Sequence, residues 1–127
     1  MRSLLVAVSI SLCVPAIAQT HWVRVAQTAD REDTYYIQAG SVHDVGSFRR
    51  AWTLLDTTVP DSTGFSSLIV LQEFDCKARQ SRYLQITGYY GRMGSGTAKT
   101  GPMDPSDWAY AAPGTIDDSI VSRVCSL

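Results

Sequence analysis

The sequence predicts an α+β domain: a single antiparallel β-sheet of about five to six strands, a C-terminal α-helix packed on one face, and one disulfide. Three observations lead there. Runs that alternate apolar and polar residues are joined by short turns, the arrangement of antiparallel neighbours. One apolar stripe of helical period stands near the C-terminus. Two cysteines remain once an apolar leader is set aside.

The leader is read over residues 1–18. Met1-Arg2 carries one positive charge, Leu4 to Ile17 is apolar, and Ala16-Ile17-Ala18 is a small-x-small cleavage pattern before the polar Gln19-Thr20. The run is too short to cross ~30 Å of hydrocarbon, and it contains Pro15. No later stretch is long and apolar enough to span a membrane. Leu12, rather than a small residue, precedes Cys13, so the leader is read as one that is cleaved and not lipidated. The mature chain is expected to begin at Gln19, leaving one domain over 19–127, exported to the periplasm, the cell surface or the medium.

Of the 127 residues, 45% are apolar and 18% charged, which excludes a disordered chain. Removing Arg2 leaves ten basic against twelve acidic side chains. That balance offers no cationic surface to a phosphate backbone, which argues against nucleic acid as a partner. Cys76 and Cys125 are an even pair in an exported domain, and so are read as a disulfide. Closing a loop of about 50 residues is worth roughly 4 kcal/mol in the chain-entropy model.

The elements follow in order. His21 to Thr28 alternates like a half-buried strand, and Ala29 to Asp33 is a charged turn. Thr34 to Gln38 is a second short strand rich in β-formers, and residues 40–46 are a connection with room for one helical turn. Phe48 to Val59 is a longer strand, with Phe48, Arg50, Trp52 and Leu54 alternating against Arg49, Ala51, Thr53 and Leu55. Pro60 to Gly64 stops it. Phe65 to Cys76 has apolar residues on both faces, which marks a central strand. Arg82 to Tyr90 returns, with Leu84, Ile86 and Tyr90 on one face and Tyr83, Gln85, Thr87 and Tyr89 on the other.

Residues 91–114 read as a long Gly/Pro-rich loop, of a length that implies function or mobility. Thr115 is placed to cap a helix, with Asp117 and Asp118 at its positive end. Ile116, Ile120, Val121 and Val124 make its apolar stripe, with Cys125 at the edge and Asp117 intruding.

The chemistry is sparse. Gly91 to Thr100 ends in Lys-Thr, but a phosphate-binding loop needs Lys directly after its last glycine, where Thr97 stands. His21 and His43 lie in separate segments without metal-ligand spacing, so no metal site and no cofactor are expected. No Gly-x-Ser-x-Gly elbow is present. Glu73 and Asp75 share a strand face and read as a solvated strand end. The chain is therefore not read as an enzyme. Tyr83, Tyr89 and Arg49 are expected on the sheet face away from the helix, with Arg92 on the neighbouring loop. Tyrosine and arginine concentrate energy at protein interfaces, although tyrosines also stabilise sheets as cross-strand pairs. Trp108 is expected to fold the long loop onto the sheet.

Several short pieces occur in a telling order. They are Trp22-Val23-Arg24-Val25, Tyr35-Tyr36-Ile37, Arg49-Arg50-Ala51-Trp52-Thr53-Leu54 and Glu73-Phe74-Asp75-Cys76. Tyr89-Tyr90-Gly91, Met93-Gly94-Ser95-Gly96, Trp108, Ala112-Pro113-Gly114-Thr115 and Val124-Cys125 follow. The ordered set, over nearly the whole mature chain, resembles the bacterial surface-adhesin protein E-like family. The resemblance implies a small exported antiparallel sheet with a C-terminal helix. It also implies a protein partner, of which a host extracellular-matrix protein is the type. An exported binding module of the adhesin type is the leading reading. A periplasmic accessory or envelope-structural protein without a host ligand is the alternative, with a small hydrolase a distant third.

Overall fold

The computed structural model describes residues 9–10 and 21–127. The expected cleavage point after Ala18 and Cys13 lie outside them. Among the described residues, eight strands form one antiparallel sheet. They are β1 (Trp22–Gln27), β2 (Asp33–Gln38), β3 (His43–Val45), β4 (Phe48–Thr57), β5 (Ser67–Asp75), β6 (Gln80–Tyr89), β7 (Ala98–Thr100) and β8 (Ala109–Tyr110). One helix, α1 (Ile116–Cys125), follows. Across the sheet the order is β1-β2-β4-β5-β6-β7. The expected five or six strands are the long ones, and the additions are short edge pieces.

Those pieces line the same edges end to end. β2 pairs with the Thr53–Thr57 half of β4, and β3 with its Phe48–Arg50 half. Between them, a single 3-10 turn at Ala39–Ser41 interrupts the edge, and the Ser41 hydroxyl accepts the Trp52 amide at 3.0 Å. Residues 40–46, expected as a connection, thus supply a turn and a three-residue strand. On the far side, β7 and β8 run along β6 in the same broken manner.

The break there has a cause. Leu71 pairs with Gln85 but Gln72 pairs with Tyr83, so Leu84 is an extra residue in β6, a β-bulge. Opposite it the outer chain leaves the ladder through Pro102 and Pro105, which have no amide to donate. It rejoins where the Ser106 amide donates to the Tyr83 carbonyl and the Ser106 hydroxyl accepts the Tyr83 amide, at 2.9 and 2.8 Å. Residues 91–114 are consequently a tethered sheet edge rather than a free loop, and such interruption also blunts the edge against further pairing.

Helix α1 crosses β1, β4 and β5. Thr115 is its N-cap, accepting the Asp118 amide at 3.2 Å, as the sequence indicates. Ile120, Val121 and Val124 pack with Ile37, Ala51, Phe74 and Ala111 in one buried cluster. Ala51 is the small residue that lets the helix approach the central strand. Burial of each large apolar side chain contributes roughly 1.5–3 kcal/mol. The helix end is pinned by the Cys76–Cys125 disulfide, with 5.7 Å between Cα atoms. Arg79 ties its outer side, pairing with Asp118 and donating to the Ser122 hydroxyl at 2.9 Å.

Candidate functional site

The sheet face opposite the helix carries a cluster of large aromatic and arginine side chains. Alternation along β4 puts Phe48, Arg50, Trp52, Leu54 and Asp56 there, since Ala51 points at the helix. Their cross-strand partners bring Glu73, Leu71, Ile69 and Ser67 from β5 and Arg82 from β6. Trp22 and Arg24 arrive from β1 opposite Gln38 and Tyr36.

Both ends of this face are closed by the returning chain. At one end the segment Arg92–Gly94 folds over Leu54 and Ile69. Asp56, fully buried, receives the Arg92 guanidinium (Nε at 3.1 Å) and the Met93 amide (2.8 Å). Ser67 accepts the Gly94 amide at 2.9 Å and donates to the Gly91 carbonyl at 2.7 Å. Gly94 is required here on two counts. Its φ is +71°, and a Cβ would lie 2.8 Å from the Ile69 side chain. The Asp56 contacts also raise the Arg92 pKa, first by hydrogen bonding and then by charge.

At the other end Trp108 packs on Phe48, ring centroids 5.0 Å apart, and lies under the Arg82 guanidinium at 4.4 Å. Trp108 thus folds the outer chain onto the sheet, as its place in the sequence suggests. Beside it, Glu73 takes Arg50 Nε at 2.8 Å on one oxygen and Arg82 on the other, at 2.9 and 2.7 Å. Glu73 is 1% exposed, so it is not the solvated strand end expected from its pairing with Asp75. Burial pushes its pKa up, but the two arginines together outweigh that and hold the carboxyl below its ordinary value. Asp75 instead accepts the Ala78 amide in the adjoining turn, at 3.2 Å.

Between the two closed ends lies a shallow depression of about 340 Å³, lined by Trp22, Gln38, Trp52, Ile69, Gln85, Thr87 and Tyr89. Its aromatic walls and flanking arginines have the composition that interfaces favour.

The four residues expected to form a binding face divide between the two sides of the sheet. Tyr89 and Arg92 lie on the face away from the helix. Arg49 does not: one guanidinium nitrogen donates to the carbonyls of Val124 and Leu127, at 3.1 and 2.6 Å, at the helix C-terminus. Tyr83 is also on the helix side, beside Tyr35, Asp117 and Ile120, because the bulge at Leu84 reverses the alternation of β6. Trp22, Trp52, Arg50 and Arg82 were missed as face residues. The small Ala51 between Arg50 and Trp52 was the available signal for which set of β4 meets the helix.

The domain is a disulfide-pinned antiparallel sheet with one face under a helix and the other rich in aromatic and arginine side chains. The surface-adhesin protein E family matches residues 22–126, and this chain belongs to that family. No match is found among curated protein sequences. Among solved structures, a second crystal form of Haemophilus influenzae protein E superposes with a TM-score of 0.64 at 12% identity, covering 93% of this chain and 97% of that one. Another structure of Haemophilus influenzae protein E gives 0.64 at 13%, covering 91% of each. Protein E from non-typeable Haemophilus influenzae gives 0.59 at 12%, over 88% and 80%. At this identity the likeness is one of fold. Among the described residues no helix is long and apolar enough to cross a membrane.

Proposed function

We propose that the chain is an exported adhesin-type binding module whose partner protein docks on the sheet face opposite the helix. The observation that carries this reading is the depression walled by Trp22, Trp52 and Tyr89. Aromatic residues there are held by a rigid sheet, so little conformational entropy is lost when they are covered. Arg50, Arg82 and Arg92 surround them with donors already oriented by buried carboxylates. Membership of the family supports a protein partner, and an extracellular-matrix protein of a host is the partner class we favour. Export follows from removal of residues 1–18, with Gln19 as the first residue of the mature chain.

Two measurements test this reading together. Protease treatment of intact cells should remove the protein while sparing a periplasmic marker, and intact mass should place the N-terminus at Gln19. The purified mature domain should then bind at least one of a panel of immobilised extracellular-matrix proteins. Protection of the protein in intact cells, with no binding to the panel, refutes the adhesin reading in favour of a periplasmic accessory role.

A further inference from the structure

Helix α1 covers only part of its own face of the sheet. Past its first turn, toward the Thr57 end of β4, the sheet bears a groove made of two adjoining depressions of about 340 and 210 Å³ that share Leu55 and Leu68. The floor is apolar, formed by Leu55, Leu68, Val70 and Ile86. Tyr35 and Tyr83 wall it together with Asp117, the charge that interrupts the helix stripe. Glu32, Asp33 and Asp61 line the far end.

The charge here is of one sign. No lysine, arginine or histidine lines either depression. Asp61 is engaged by Thr63 and the Phe65 amide, whereas Glu32, Asp33 and Asp117 form no ion pair among the described residues. The field reaches the tyrosines. Burial first and then Asp117 raise the Tyr83 pKa, and Tyr35 is raised by burial and then by Asp33, Tyr83 and Asp117.

An apolar floor beneath uncompensated carboxylates suits a long aliphatic stem that ends in a cation. We propose that this groove is a second binding site, which seats a basic, apolar-flanked segment of a partner protein. A lysine or arginine of that segment lies along Leu55, Leu68 and Val70 and directs its charge to Asp117 or Asp33. The two depressions together fit a few side chains of an extended segment and fall within the range of ligand sites, about 300–1,000 Å³. The groove is on the opposite side of the sheet from Trp22, Trp52 and Tyr89, so its occupation does not depend on that face.

The test is an NMR titration of the ¹⁵N-labelled mature domain with an acetylated peptide of alternating leucine and lysine, and with its leucine–glutamate counterpart. The lysine peptide should shift the amides of Tyr35, Leu55, Leu68, Val70, Ile86 and Asp117. Asp117→Asn should weaken it at least fivefold, and Asp33→Asn/Asp117→Asn further. Because Asp117 is exposed in the first turn, that variant keeps the fold, and an unchanged background spectrum checks it. Affinity should fall with added salt. Trp22→Ala/Tyr89→Ala should leave it unchanged, which separates this site from the opposite face. Equal binding of the glutamate peptide, shifts confined to the other face, or full affinity in Asp117→Asn overturns the proposal. So does occupation of the groove by a second copy, seen as concentration-dependent shifts without peptide.

Discussion

Arg49, in the first turn-side residues of β4, donates to the carbonyl of Val124 at 3.1 Å, 75 positions away in the last turn of the helix. That contact joins the central strand to the negative end of the helix macrodipole, where a cation is stabilising. The same nitrogen reaches the Leu127 carbonyl at 2.6 Å, and Arg49 Nε reaches Asp44 at 3.0 Å. Arg49 is thereby committed to the fold.

Arg49→Ala should therefore lower stability by about 1–2 kcal/mol, the cost of a charge-assisted cap partly screened by solvent. Urea unfolding monitored by tryptophan fluorescence measures this. Partner binding by the folded variant should be unaltered.

Removing the disulfide should cost more. Cys76 and Cys125 are 49 positions apart, and releasing that loop should lose about 4 kcal/mol. A Cys76→Ala/Cys125→Ala variant checks this against the wild type in urea. Free-thiol titration of the unfolded, unreduced mature protein should read near zero. Two reactive thiols per mature chain would contradict the bond.

Glu73 sets a pH dependence. Its folded pKa is depressed, so between the folded and unfolded values the unfolded chain binds more protons, and stability rises with pH. The contribution is present above the ordinary glutamate pKa, about 4.3, and is lost as pH falls through the lower folded value. Glu73→Gln should be destabilised at neutral pH by roughly 2–4 kcal/mol, since both arginines lose their buried partner. It should also lose less stability than the wild type on acidification below about pH 4.3. Denaturation midpoints at neutral and acid pH test both parts.

Gly94→Ala should loosen the Arg92–Gly94 segment, through its positive φ and the contact with Ile69. A cost of about 1–3 kcal/mol follows from strain of this kind. Faster amide exchange at Met93 and Ser95, with β4 and β5 unchanged, is the expected signature.

Much of this architecture is legible in the sequence because its signals are local. The alternation of the long strands, the Thr115 cap and the helix stripe each depend on neighbours in the chain, and the distant cysteines are paired by their number alone, two in an exported domain. The division of the binding-face residues was not legible, for two physical reasons. β4 carries large residues on both faces, so its period of two alone leaves open which set meets the helix, and the small Ala51 is the one local sign of it. In β6 the extra residue Leu84 shifts every later side chain to the other face, and a bulge leaves no mark in the hydrophobic pattern. The ordering of residues 91–114 also rests on distant partners, Asp56, Ser67 and the edge of β6, which no local window contains.

Docking of a partner on the face bearing Trp22, Trp52 and Tyr89 is open to direct test. The most direct measurement is the affinity of one bound matrix protein for Trp22→Ala/Tyr89→Ala, set beside Ser119→Ala/Arg123→Ala on the exposed helix surface. Truncating interface aromatics typically costs about 2 kcal/mol or more each, so the tyrosine–tryptophan variant should bind at least tenfold more weakly with its circular dichroism unchanged. The helix variant should bind as the wild type does. Normal binding by Trp22→Ala/Tyr89→Ala, with loss in Ser119→Ala/Arg123→Ala, would place the partner on the helix side instead.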